Sequence, residues 1–453
     1  MTNKISPFQI LAIGFMLFAM FLGAGNVIFA PIVGQQAGTN TPIAMLGFLI
    51  TGVGLVLLAI IALNKGGGTV ESLANRVSTK FSVVFCILIF LALGPFYVLP
   101  RTTSVVYEIG LRQLLPSGGN HGTYLAIFSV IFFAVTIYLS WETSKFIDRL
   151  GKVATPIFMV ILVLIVGKSI ITPMGSANAP VIGGDYETTM DAFLKGFTQG
   201  YFTMDVLAAF VFGGIFIKSI EALNLKSQKE VSKVFFQAGV ITVIGLIALQ
   251  VSMAWIGVSS VDSVGYVSNG GELIALASKS LFGQLGLYLI GIVIFLTGIT
   301  TNVACLAAPA EYFSRVIPSV SYKKWLIIFS LFGVVFTNFG LTKILSITSP
   351  VLMLLYPIAI TLIILIFTDK LFGGAQSVYI GAMVGTTFVA ILDALQDAKF
   401  MVEEIDSTFS FIPLFTSDAG WIITGLLGAI IGYFFKNNKQ NENIVQGDNK
   451  ATN

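Results

Sequence analysis

Twelve stretches of largely apolar residues divide the chain, at 8–33, 41–63, 81–109, 122–140, 152–171, 192–217, 230–257, 284–310, 324–339, 343–367, 375–394 and 417–435. In hydrocarbon a helix satisfies its own backbone groups, and about 20 apolar residues span the bilayer, so these stretches dictate an all-α polytopic membrane protein. Composition closes off other classes. Of 453 residues, 56% are hydrophobic and 10% charged, against about 45–50% apolar and about 25% charged in soluble proteins. The 46 glycines allow close helix contact. A net charge of +3, scattered over short loops, leaves no surface for nucleic acid. Cys86 and Cys305 each sit in an apolar run and read as packing residues. The run from Phe8 lacks the small-residue cleavage site of a leader and is expected to be a retained first span.

With twelve spans, 18 of the 25 Lys and Arg fall on the side of the even loops and both termini, among them Lys65, Arg76, Lys80, Lys233, Arg315, Lys323 and Lys370. Basic residues are retained in the cytoplasm, which predicts two cytoplasmic termini. Residues 437–453 are polar and Asn-rich and are expected to be disordered. No loop is long enough for an independent core. Function is therefore expected inside the spans.

Two spans carry interruptions. The first reads Phe18-Ala19-Met20-Phe21-Leu22-Gly23-Ala24-Gly25-Asn26, where two glycines beside a buried amide invite unwinding. A break would free the carbonyls of Ala19 and Leu22 for a cation, and the amides of Ala24, Gly25 and Asn26 for a carboxylate. The alternative is an unbroken glycine packing face. The sixth reads Gly200-Tyr201-Phe202-Thr203-Met204-Asp205. Asp205 is an acid deep in an apolar run, and either it or Thr203 caps a second half-helix, or Asp205 coordinates an ion. Paired interruptions in spans one and six are what a five-plus-five inverted repeat with discontinuous helices 1 and 6 produces.

In the eighth span Thr297, Thr300 and Thr301 share a helical face. The hydroxyls of Thr300 and Thr301 with an under-bonded Thr297 carbonyl would form a hard, neutral oxygen cage suited to sodium. The competing reading has each hydroxyl bonded back to its own helix. Arg101 and Glu108, seven residues apart, are expected to pair with each other or to snorkel outward, a gating role being the lesser alternative.

These residues resemble a known family. The segments Phe18 to Asn26, Gly34-Gln35-Gln36-Ala37-Gly38-Thr39-Asn40 and Tyr201 to Asp205 look like signatures of the branched-chain amino acid:cation symporters, the BrnQ-type or LIVCS carriers, and the likeness in span layout covers almost the whole chain. Ala30 before Pro31, and Lys65-Gly66-Gly67-Gly68 in place of His-Gly-Gly, depart from the pattern. That family is similar to the amino acid–polyamine–organocation superfamily. The resemblance implies a transport core over 1–370, two peripheral helices over 371–436, and import of leucine, isoleucine and valine across a bacterial plasma membrane by alternating access. It implies Na+ as a coupling ion, not a catalytic cofactor, held by the carbonyls of Ala19, Leu22 and Thr297 and the hydroxyls of Thr300 and Thr301. The substrate carboxylate would meet the amides of Ala24, Gly25 and Asn26, beside Gly23. The ammonium would meet carbonyls from Gly200 to Thr203, with Phe21, Tyr201, Phe202 and Met204 around the aliphatic side chain.

Rival readings are a proton-coupled carrier of other neutral amino acids, acting through Asp205, and a channel, which would need a continuous polar pore. An enzyme is not expected, since His121 is the one histidine and paired-histidine or Ser-His chemistry is unavailable. The expected partners are a small neutral aliphatic amino acid, sodium and the lipid bilayer, with no obligate protein partner evident.

Overall fold

The computed structural model describes residues 6–116, 118–141, 146–221 and 228–435. The tail 437–453, Lys4, Lys145 and Lys226 lie outside the described residues. Among those described, every regular element is helical and each of the twelve apolar stretches coincides with helix. Runs such as His121–Ser140, Gln284–Val316 and Leu341–Phe372 are long and apolar enough to cross a membrane, and Pro7–Phe21, Pro156–Ile171 and Trp421–Phe434 are shorter apolar helices. The segment 258–283, expected to be loop, contains the helix Gly270–Phe282. Asn269 starts it by accepting the Glu272 amide at 3.0 Å.

Contacts divide the chain into two compact units. The first comprises Met1–Gly54, Phe90–Ala208 and Lys218–Thr348. Its helices approach through glycines placed on both partners. Gly34 faces the Ala254 carbonyl and Gly257 the Pro31 carbonyl, joining the first and seventh spans, while Gly47 faces Phe193 and Gly196 faces Ala44, joining the second and sixth. A methyl at any of these positions would penetrate the opposing backbone. Close packing of this kind replaces the hydrophobic drive that lipid removes. Three π-helical turns, Ile50–Gly54, Ala92–Phe96 and Tyr107–Leu111, interrupt the second and third spans in this unit. Gly94 and Pro95 account for the one at Ala92–Phe96, Gly94 being non-helical at φ −94° and ψ −120°.

The second unit comprises Leu55–Ile89, Ala209–Ile217 and Ser349–Asn453. Arg76 Nη1 pairs with Asp369 Oδ2 at 3.2 Å, and the Tyr379 hydroxyl donates to Asp369 Oδ1 at 2.8 Å. Helices Gln376–Asp397 and Trp421–Phe434 meet along Gly381, Gly385, Gly428 and Gly432, each against the other's backbone. Gly428→Leu is therefore expected to overpack this seam, costing about 1–3 kcal/mol. Thermal melting of the purified protein checks this, and an unchanged midpoint would show that the seam contributes nothing.

Candidate functional site

The first span stops at Phe21 and restarts at Gly25, with Leu22 leaving the helix at ψ 87°. Glycine is about 1 kcal/mol worse than alanine in a helix, and Asn26 supplies a substitute for the bond lost between the halves. Its Nδ2 donates to the Phe21 carbonyl, the acceptor that an unbroken helix offers to the amide of Gly25. Gln250 Nε2 in turn holds Asn26 Oδ1 at 2.8 Å. Among the described residues, no backbone donor reaches the carbonyls of Ala19 or Leu22, and no backbone acceptor reaches the amides of Ala24 or Gly25. The Asn26 amide is taken by the Gly23 carbonyl at 3.1 Å, so two of the three expected anion donors are open.

The sixth span breaks as well. Thr189–Gln199 passes into a 3-10 turn over Gly200–Thr203, then through Met204 in the left-handed region at φ 64° before helix resumes at Asp205. A non-glycine residue there costs about 1–2 kcal/mol, strain of the kind held at functional sites. Gly200 permits the turn to lie on the second span, where a methyl would come within 2.8 Å of the Phe48 carbonyl and 2.9 Å of the Gly52 amide. Tyr201, Phe202 and Met204 are buried, as is Phe21 of the first span.

Three carbonyls expected to meet an ammonium are already engaged. Gly200 O accepts from Thr203 Oγ1 at 3.0 Å, Tyr201 O from the Met204 amide at 3.0 Å, and Phe202 O from Arg101 Nη1 at 2.7 Å. Thr203 Oγ1 also receives the Asp205 amide at 3.4 Å, a weak cap. Asp205 is buried, and its Oδ2 has no hydrogen-bond partner.

Arg101 departs from its expected pairing. Glu108 instead binds Arg112, one helical turn on, at 2.6 Å, the i, i+4 partner lying nearer on the helix face than the i−7 one. Arg101 is 3% exposed and lies between the two broken spans. A methyl on Gly25 would sit 2.9 Å from its Nη2 and 3.3 Å from the Thr203 carbonyl. Its guanidinium carbon is 4.5 Å from the Tyr97 ring and 5.5 Å from Phe29. Its Nε has no acceptor.

The eighth span corrects one expectation. Helix Gln284–Val316 is continuous, so the Thr297 carbonyl is not left under-bonded, and it also accepts Thr300 Oγ1 at 2.8 Å. Thr297 Oγ1 bonds back to Val293 O at 3.0 Å. Thr301 is different. It faces the first break, where a methyl on Gly23 would lie 3.5 Å from its Oγ1. Thr301 and the open carbonyls of Ala19 and Leu22 are hard, neutral oxygens of the kind an alkali cation takes. Among the described residues no group of three or more His, Cys, Asp or Glu side chains is placed to hold a metal.

Residues 6–439 match the family described as branched-chain amino acid transport protein. The chain belongs to that family. It is 40% identical over 434 residues to the branched-chain amino acid permease BraB of Bacillus subtilis, covering 96% of each chain. It is 37% identical over 421 residues to the branched-chain amino acid transport system 2 carrier protein of Pseudomonas aeruginosa, covering 93% of this chain and 94% of that one. In fold it is similar to Mhp1, a nucleobase-cation-symport-1 family transporter, in a closed conformation with bromovinylhydantoin bound, at TM-score 0.60 and 15% identity over 94% of this chain and 91% of that one.

This transport protein is thus a multi-pass membrane carrier and not an enzyme. The residue that sequence reasoning misplaced is Arg101. Its signal was present, since an arginine within an apolar span marks a functional position by default.

Proposed function

We propose that the protein imports leucine, isoleucine and valine across the plasma membrane, coupled to sodium and by alternating access. The observation that carries this reading is the meeting of two interrupted helices around Gly25 and Thr203, with open amides at Ala24 and Gly25 and open carbonyls at Ala19 and Leu22. Names given to relatives supply the substrate class. The glycine contacts support an inverted repeat over residues 1–370. Exchanging spans one and two for six and seven converts the first–seventh pair, closed by Gly34 and Gly257, into the sixth–second pair, closed by Gly196 and Gly47.

In this mechanism sodium ties the first break to Thr301, with Thr300 and Thr297 beside it, and stabilises the substrate-binding state. The ion's release toward a negative cytoplasm contributes about 2.3 kcal/mol per charge per 100 mV. Both termini are assigned to the cytoplasm from the distribution of basic residues. A hydrophobic pocket separates neighbours differing by one methylene by only about 10–200-fold, so all three substrates are expected to share the carrier.

The test is uptake of labelled leucine, isoleucine, valine and alanine into proteoliposomes under sodium and proton gradients imposed separately. Accumulation driven by sodium, with alanine a poor substrate, supports the proposal. Accumulation driven by protons alone removes sodium coupling. Thr301→Ala is expected to raise the half-saturating sodium concentration at least about tenfold, the equivalent of about 1.4 kcal/mol. Thr300→Ala should do less, its hydroxyl being bonded to Thr297 O. Unchanged sodium dependence in both variants would remove the ion site.

A further inference from the structure

We infer that the two charged ends of the substrate are gripped by side chains as well as by helix ends, the carboxylate by Arg101 and the ammonium by Asp205. The inference rests on the reading of this site as the amino acid site and names the residues that select a zwitterion.

Three observations carry it. Arg101 and Asp205 are 3% and 5% exposed, so both ionisable groups are held out of water, where an uncompensated charge is costly. Each keeps a buried atom with no hydrogen-bond partner, Nε on Arg101 and Oδ2 on Asp205. Buried polar atoms are nearly always satisfied, and this complementary pair, one donor and one acceptor, fits a ligand that brings one of each. Arg101 is within electrostatic reach of Asp205, yet among the described residues the two form no ion pair within 4.0 Å. The two groups face the same region without pairing.

Surrounding geometry assigns the ends. Nη2 of Arg101 lies against Gly25, whose amide is one of the two open anion donors of the first break, so guanidinium and amide converge on one carboxylate. On the sixth span the carbonyls of Gly200, Tyr201 and Phe202 already accept hydrogen bonds. Two acceptors remain there for an ammonium, the Thr203 carbonyl turned toward Gly25 and the Asp205 carboxylate, and of the two only the carboxylate can bring a full charge. Arg101 also reads the break itself, since its Nη1 bond to Phe202 O at 2.7 Å ties the third span to the unwound turn. With both side chains ionised, the pair matches the two charges of a zwitterion and the site stays neutral when one is bound.

The experiment is equilibrium binding of labelled leucine to the purified full-length protein in nanodiscs at saturating sodium, competed with leucinamide, which lacks the carboxylate, and with 2-hydroxy-4-methylpentanoate, which lacks the ammonium. At the unmodified protein both analogues are expected to compete at least about 100-fold less well than leucine, because each leaves a buried charge unpaired. Arg101→Gln is expected to weaken leucine by at least about 30-fold while leaving leucinamide within about threefold, and Asp205→Asn to do the same for leucine against the hydroxy acid. Arg101→Lys should recover part of the discrimination. An analogue that competes as well as leucine at the unmodified protein overturns the corresponding contact without any variant being needed. Parallel weakening of leucine and leucinamide in Arg101→Gln would make Arg101 a positioning residue and sink its half of the inference. Absence of leucine binding altogether would instead overturn the substrate assignment beneath it.

Discussion

Asn26→Leu is expected to lower uptake by at least about tenfold and to destabilise the protein, while Asn26→Leu with Gln250→Leu recovers stability but not uptake. Asn26 is 1% exposed and bridges two groups, donating to the Phe21 carbonyl and accepting from Gln250 Nε2 at 2.8 Å. Leucine keeps the branching at Cγ, is somewhat larger, and removes both bonds. Each buried polar group left unsatisfied costs about 1–3 kcal/mol, and a factor of ten in rate needs only about 1.4 kcal/mol. The second substitution removes the stranded Gln250 amide, so that part of the stability loss is reversed. The Phe21 carbonyl remains without its side-chain donor, and the geometry that opens Ala24 and Gly25 is not rebuilt. Sodium-driven leucine uptake and thermal melting on the same preparations check both halves. Full uptake in the single variant would show that the break is held by something other than this amide.

Gly200→Ala is expected to lower uptake to below about one tenth. The added methyl meets the Phe48 carbonyl at 2.8 Å and the Gly52 amide at 2.9 Å, and lies closer still to Thr51 Oγ1. Two of these three are backbone, which cannot rotate away. Either the 3-10 turn is displaced or the second span yields, and both disturb the Phe202 carbonyl that Arg101 holds. Overpacking of this kind costs about 1–3 kcal/mol in stability, and the displaced turn carries the transport defect. Gly167→Ala is the control, because nothing lies within 4 Å of a methyl there. Equal uptake in the two variants would mean that close approach at Gly200 has no part in transport.

Both breaks were legible because their causes are local. Gly23 and Gly25 weaken the helix where they stand, and Gly200 with Thr203 and Asp205 announces a turn and a restart within six residues. The threonine face was only half legible. Spacing put Thr297, Thr300 and Thr301 on one side, but whether each hydroxyl looks outward or back to its own carbonyl depends on the neighbouring span. Thr301 meets Gly23, whereas Thr297 and Thr300 bond within their helix. Arg101 was misread for a related reason. Its sequence neighbours Glu108 and Arg112 are compatible with several ion pairs, and the partner it has, Phe202 O, lies 101 positions away.

Sequence alone determined what hydrocarbon demands of a chain: helices wherever about 20 apolar residues run together, and interruptions wherever glycine and a small polar group weaken them. Tertiary structure alone decided which freed backbone groups stay open and which are consumed. A helix break exposes donors and acceptors whatever surrounds it, but their availability depends on side chains delivered by distant spans. Asn26 with Gln250 and Arg101 with Phe202 are such deliveries, and they leave Arg101 Nε and Asp205 Oδ2 unpartnered in the interior.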